Sequence, residues 1–188
     1  MPLPRPVPFF SQNAGGPNGP PIDDPTGCWY ACAKMMGVYY EGTYFRARKG
    51  VPELVNPNGT HQSLGADKLQ VFQLNERLQP LSITTPLNTA SDFDAVLTNR
   101  GPIMFTWWVP GPKFYIFHAS VVVGTLGPDV CYHDPAVGPN QSMSASVLKF
   151  ARNGPGGRVD PMLVRDPATI PKQQVDVIAP RGIDYASR

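Results

Sequence analysis

Proline occupies positions 2, 4, 6, 8, 17, 20, 21 and 25, a spacing that forbids regular helix before residue 28. The chain therefore enters its first ordered element from an extended lead-in over 1–27. Proline and glycine stay frequent throughout, 23 and 18 residues, so short elements are joined by long connections. The first strongly periodic segment is 28–40. There Trp29, Cys32, Ala33, Met36 and Tyr40 fall at i, i+3, i+4, i+7 and i+11, one stripe of an amphipathic helix. Asp24 and Thr26 are its candidate caps.

A second helix is expected over 66–79 and a third over 92–99. Ser91 and Asp94 form an approximate capping box for the third, and Gly101 closes it. The pattern then changes. Segments 103–109, 115–124 and 130–133 are β-branched and aromatic runs separated by Gly-Pro punctuation, which predicts antiparallel strands. A short helix is expected at 144–151, with late strands at 162–165 and 174–178. Helices first and strands second predicts an α+β fold of two packed lobes. At 188 residues this is a single domain, 1–188, with a mainly helical part over 28–100 and a mainly β part over 101–188.

Charge narrows the function classes. Sixteen Lys and Arg against fourteen Asp and Glu leave +2, too little for a surface that tracks phosphates, so no nucleic-acid partner is expected. The one basic cluster, Arg46-Ala47-Arg48-Lys49, reads as a solvated turn. No stretch approaches the roughly 18 apolar residues that span a bilayer, so no membrane partner is expected. The start lacks the apolar run of a signal peptide. The expectation is synthesis in the cytoplasm, with any export by another route. Three cysteines are an odd count, which rules out a full disulfide framework. No CxxC or HxxxH spacing occurs, and neither a metal nor a cofactor is expected.

A reactive thiol fits these constraints. The nucleophile is the thiolate, which needs a helix N-terminus and a neighbouring imidazole to form near neutral pH. Cys28 stands where the Gly/Pro-rich lead-in turns into the first helix. Cys32 is one turn further, on the apolar stripe, and Cys131 is mid-strand; both read as core. Three histidines compete as base. His118 lies in an apolar strand, where an imidazole needs a specific partner. His133 adjoins Asp134 but points to the opposite face by strand alternation, as a core or surface residue. His61 sits in a polar stretch and reads as a solvated loop residue. Asp134-Pro135 ends the strand after His118, and a hairpin would bring that carboxylate alongside the ring, fixing its tautomer. An oxyanion hole needs two donors. The Cys28 backbone N–H is one, and the upstream amide of Gln12 is a candidate for the other.

Taken in order, Gln12, Gly27-Cys28-Trp29-Tyr30-Ala31-Cys32, Gly101-Pro102, His118-Ala119-Ser120-Val121-Val122-Val123-Gly124 and Asp134-Pro135 resemble the papain-like cysteine peptidases over roughly residues 7–150. The likeness is greatest to the bacterial branch that holds bacteriocin-leader peptidases and injected cysteine-protease effectors. It implies a two-lobe papain-like fold, with Cys28 as nucleophile, His118 as base, Asp134 as its orienting group and Gln12 polarising the oxyanion. Two features depart from papain: a longer interval from Gln12 to Cys28, filled by a Gly/Pro-rich insert that must loop out, and Thr26-Gly27 before the nucleophile. The resemblance implies a protein substrate in a target cell, reached through a specialised secretion system, and a neutralising immunity protein in the producer.

Two other readings share these residues. A papain-fold glutamine deamidase or acyl transferase would use the same thiolate on a side-chain amide. A non-catalytic binding domain would instead present Trp107, Trp108, Tyr115 and Phe117 as a recognition surface; as strand aromatics they more simply fill the core.

Overall fold

The computed structural model describes residues 6–13, 21–42, 50–82, 86–110, 115–153 and 161–170. Within them, four α-helices and six strands alternate in an α+β arrangement. The elements are α1 (Cys28–Glu41), α2 (Leu69–Glu76), β1 (Leu78–Pro80), α3 (Ala90–Arg100), β2 (Ile103–Pro110), β3 (Tyr115–Leu126), β4 (Asp129–Asp134), β5 (Gly138–Ser144), α4 (Ala145–Arg152) and β6 (Leu163–Arg165). All strand pairings are antiparallel, in the order β1-β6-β2-β3-β4-β5. The helix-rich part precedes most of the sheet, as the sequence predicts.

Alternation along the central strands sends side chains to two separate cores. Met104, Ala119, Val121 and Leu163 pack with Cys32, Met35, Met36 and Tyr39 of α1 and Phe72 of α2. Their neighbours Ile103, Phe105, Val122 and Val164 pack with Phe93 and Leu97 of α3 and Leu148 of α4. Helices thus cover both faces. Helix α1 is buried on nearly every side, Ala31, Met35 and Tyr39 as well as the expected stripe. Such a helix is rigidly held, which suits the residue at its first position.

The differences from the expected elements have physical causes. The helix predicted over 66–79 is a 3₁₀ turn at Ala66–Lys68 followed by α2, and it stops at Arg77 in the left-handed region. Leu78–Pro80 leaves the helix to pair with Leu163–Arg165, more than eighty residues along the chain. Thr89 and Asp92, and not Ser91 and Asp94, form the capping box of α3; Asp94 accepts a hydrogen bond from Thr125 Oγ1 at 2.7 Å. Gly101 does close α3, at φ 75°, and a Cβ there would also collide with the Tyr40 hydroxyl, which donates to Arg100 O at 2.6 Å. Neither Asp24 nor Thr26 caps α1. Gly27 is its N-cap, without a side-chain bond. Strand β5 was not expected: Gly-Pro-Asn-Gln-Ser-Met-Ser lacks β-branched residues and serves as a polar edge. Cys131, expected in the core, is only half-buried. The basic cluster at 46–49 and the strand expected at 174–178 lie outside the described residues.

Candidate active site

Cys28 is the first residue of a fourteen-residue helix, where the unpaired N–H groups and the helix dipole favour negative charge. It lines a cleft of about 340 Å³ with His118, and Leu64, Leu69, Met104, Ile116, Phe117 and Leu163 form much of the remaining wall. Cys28 and His118 therefore share one largely apolar groove.

His118 comes from the middle of β3, and Asp134 ends β4, the next strand of the sheet. His118 Nε2 donates to Asp134 Oδ1 at 2.8 Å, with both side chains almost fully buried. The ring's other nitrogen is left for Cys28, with which His118 also hydrogen-bonds. Burial alone would lower the imidazole's affinity for protons. The bonds to Asp134 and Cys28, and the negative charge on both, overcome it and push the pKa from 6.5 up to about 9. Burial likewise acts to raise Asp134, but its bond to His118 and the N–H groups of Ala136 and Val137, at 2.8 and 3.2 Å, hold the carboxyl below its usual range. Asp134 is thus fixed as an ionised acceptor by the turn that follows its own strand.

The three cysteines separate as the sequence predicts for two of them. Cys32, one turn below Cys28, is fully buried, and its thiol is pushed well upward by burial and then by the charges at Cys28 and Asp134. Cys32 therefore stays neutral beside Cys28. Cys131 lies outside the cleft lining.

Gln12 is buried in the lead-in and bridges the two halves of the site. Its backbone N–H donates to Pro135 O at 3.0 Å, directly after Asp134. Its side-chain Nε2 donates to Asp24 O at 2.9 Å, in the turn that delivers Cys28. One amide hydrogen is used there; the side chain is buried, and Gln12 is not among the residues that line the cleft. The insert between Gln12 and Cys28 closes on itself: Ile22 N–H meets Asn13 O at 3.0 Å, and Asp24 N–H meets Asn13 Oδ1 at 3.1 Å.

The chain matches, over residues 19–154, a family model described as the papain-like cysteine protease AvrRpt2. It belongs to that family of papain-like cysteine proteases. The matched span holds Cys28, His118 and Asp134, whereas Gln12 precedes it.

His133 and His61 were both set aside in the sequence. His133 is a structural residue, buried and neutral: Nδ1 accepts from Asn140 N–H at 3.2 Å and Nε2 donates to Val7 O at 3.0 Å. It ties the lead-in to β4. His61 corrects the expectation of a solvated loop residue. It is buried, and its Nδ1 contacts Asp24 Oδ2 at 2.6 Å. No sequence periodicity links a loop histidine to an acid 37 residues earlier. Trp107, one of the aromatics offered as a recognition surface, instead donates to Ser120 Oγ at 3.1 Å and packs edge-on against Tyr132. The Tyr115 side chain lies outside the described residues. Among the described residues no cluster of His, Cys, Asp and Glu is arranged to hold a metal ion, and no helix is long and apolar enough to cross a membrane.

Proposed function

We propose that this papain-like cysteine protease is an endopeptidase working through Cys28, His118 and Asp134, and that it is a bacterial effector or toxin acting on a protein inside a target cell. The observation that carries the catalytic reading is the chain of bonds from Asp134 through His118 to a cysteine at a helix N-terminus. His118 donates to the Asp134 carboxylate through one nitrogen and meets Cys28 with the other, so a single proton transfer within the pair gives the thiolate and the imidazolium. The Cys28 sulfur attacks the scissile carbonyl carbon. The carbonyl oxygen becomes an oxyanion, held by the Cys28 backbone N–H and the Gln12 side-chain amide. His118 gives its proton to the departing amine as the C–N bond breaks, leaving an acyl-thioester. A water then loses a proton to His118 and attacks that thioester, releasing the carboxylic acid and regenerating the pair.

Family membership supports the effector reading. Delivery by a specialised secretion system and a neutralising partner in the producing cell belong to the same proposal. The test is to incubate the wild-type and Cys28→Ala proteins with a bacterial lysate and compare the products by mass spectrometry. Wild-type-specific new termini are expected. Intact proteins heavier by about one dalton, the change from amide to acid, would replace peptidase with deamidase chemistry at the same thiolate.

A further inference from the structure

A second buried histidine–aspartate pair stands outside the cleft lining and has no part in the proton transfers described above. Asp24 is 1% exposed and His61 8%. Both Asp24 oxygens are used on one residue: Oδ2 meets His61 Nδ1 at 2.6 Å, and Oδ1 accepts the His61 backbone N–H at 3.0 Å. The His61 carbonyl in turn accepts from the Thr26 hydroxyl. The loop around His61 is thereby joined by three hydrogen bonds to the turn that precedes α1.

The pair also touches the start of α1 directly. The His61 ring stacks on Tyr30, with centroids 4.2 Å apart, and meets Trp29 edge-on at 5.4 Å. Trp29 Nε1 donates to Gln62 O at 3.0 Å, next to His61 in the chain. These are the two residues after the nucleophile. On the other side, the Asp24 carbonyl accepts from Gly27 N–H at 3.1 Å and from Gln12 Nε2 at 2.9 Å. Gly27 is close enough to the Asp24 carboxylate that a Cβ would collide with it. One residue thus fixes, through its side chain, the loop clamped on the first turn of α1. Through its carbonyl it fixes the Gln12 side-chain amide.

We infer that Asp24 and His61 are positioning residues that hold the Cys28 backbone N–H and the Gln12 amide in register as oxyanion donors. The inference rests on the proposed roles of Cys28 and Gln12. Neither Asp24 nor His61 exchanges a proton with substrate. Their effect falls on steps that build charge on a carbonyl oxygen and spares steps that only need the thiolate.

Two reactions of Cys28 separate these effects. Acylation by p-nitrophenyl acetate passes through an oxyanion, whereas alkylation by iodoacetamide does not. Each is measured on the full chain, with Cys28→Ala as the background for the other thiols. In His61→Phe, which keeps a ring on Tyr30 and loses the bond to Asp24, acylation is expected to fall about 10- to 100-fold, as for a donor displaced by a fraction of an ångström. Alkylation and its pH profile are expected to stay near wild type, while Tm falls because the buried Asp24 carboxylate loses its partner. Asp24→Ala should behave alike or worse, and Asp24→Asn should recover part of the loss. Gln12→Ala should cost much less in the His61→Phe background than alone, because both act through one donor. Equal acylation by wild type and both variants would overturn the inference and leave the catalytic reading intact. So would a parallel loss of acylation and alkylation, which marks a merely structural pair. A wild type that acylates no faster than Cys28→Ala would remove the catalytic reading, and this inference with it.

Discussion

Two buried histidine–aspartate pairs lie on either side of the start of α1, and they differ in what the rest of the ring faces. His118 is held by Asp134 through Nε2, and its remaining nitrogen meets the Cys28 sulfur in an open groove. His61 is held by Asp24 through Nδ1, and its ring face is covered by Tyr30. The carboxylate alone confers no role: in each pair it fixes a ring. A ring fixed beside a thiol in a cleft can move protons, whereas a ring fixed against aromatic faces can only hold backbone in place. The distinction lies in the third contact.

Breaking the first pair should have the largest effect. Cys28→Ala or His118→Ala should lower peptide cleavage at least 1,000-fold, on the order found when a nucleophile or its base is removed, with circular dichroism showing the fold retained. Asp134→Asn should cost about 100- to 10,000-fold, because the ring loses both its tautomer lock and its counter-charge. The same substitution should lower the upper pH limit of peptide cleavage, which needs the His118 proton for the departing amine. In the wild type that limit lies at about 9, where His118 loses its proton; without Asp134 the proton leaves earlier. Retention of the wild-type limit in Asp134→Asn would show that the second contact, to Cys28, alone sustains the shift.

Stability should carry the same signature. The His118 proton is held more tightly in the folded chain, so its stabilisation is complete below the ordinary value of 6.5 and is lost as pH rises through about 9. Asp134 is held below its ordinary value of 3.8, so its contribution is complete above that value and is lost as pH falls through the lower folded value. Thermal melts between pH 6 and 10 should therefore show a falling Tm that Asp134→Asn flattens. The smallest change tests the second pair's packing. Gly27→Ala pushes a methyl group into the Asp24 carboxylate and should destabilise by about 1–3 kcal/mol, the usual cost of overpacking.

The first pair was legible in the sequence because its parts lie in consecutive strands, sixteen residues apart, and a hairpin register joins them. The second was not. Asp24 reads as a helix cap and His61 as a solvated loop residue, since their meeting is set by the fold of two irregular segments. Sheet edges were hidden for a similar reason. Strand β1 is three residues long, too short for a periodic signal, and it finds β6, which was expected at 162–165, only through the tertiary fold. The long elements α1, β2 and β3 were legible because burial on one or both faces imposes an apolar pattern over many turns or pleats. Gln12 could be named from its place in the order, but its anchoring to Asp24 and Pro135 depends on the insert closing at Asn13 and Ile22.

Strand β6 has a consequence for the timing of assembly. It lies between β1 and β2, so the sheet that carries His118 has a gap until residues 163–165 leave the ribosome. Leu163 also forms part of the cleft wall beneath Cys28. At roughly 5–20 residues per second, several seconds or more pass between synthesis of Cys28 and arrival of the strand that completes its surroundings. A nascent chain therefore carries Cys28 without a finished groove around it, and the groove is completed only with one of the last described segments to be made.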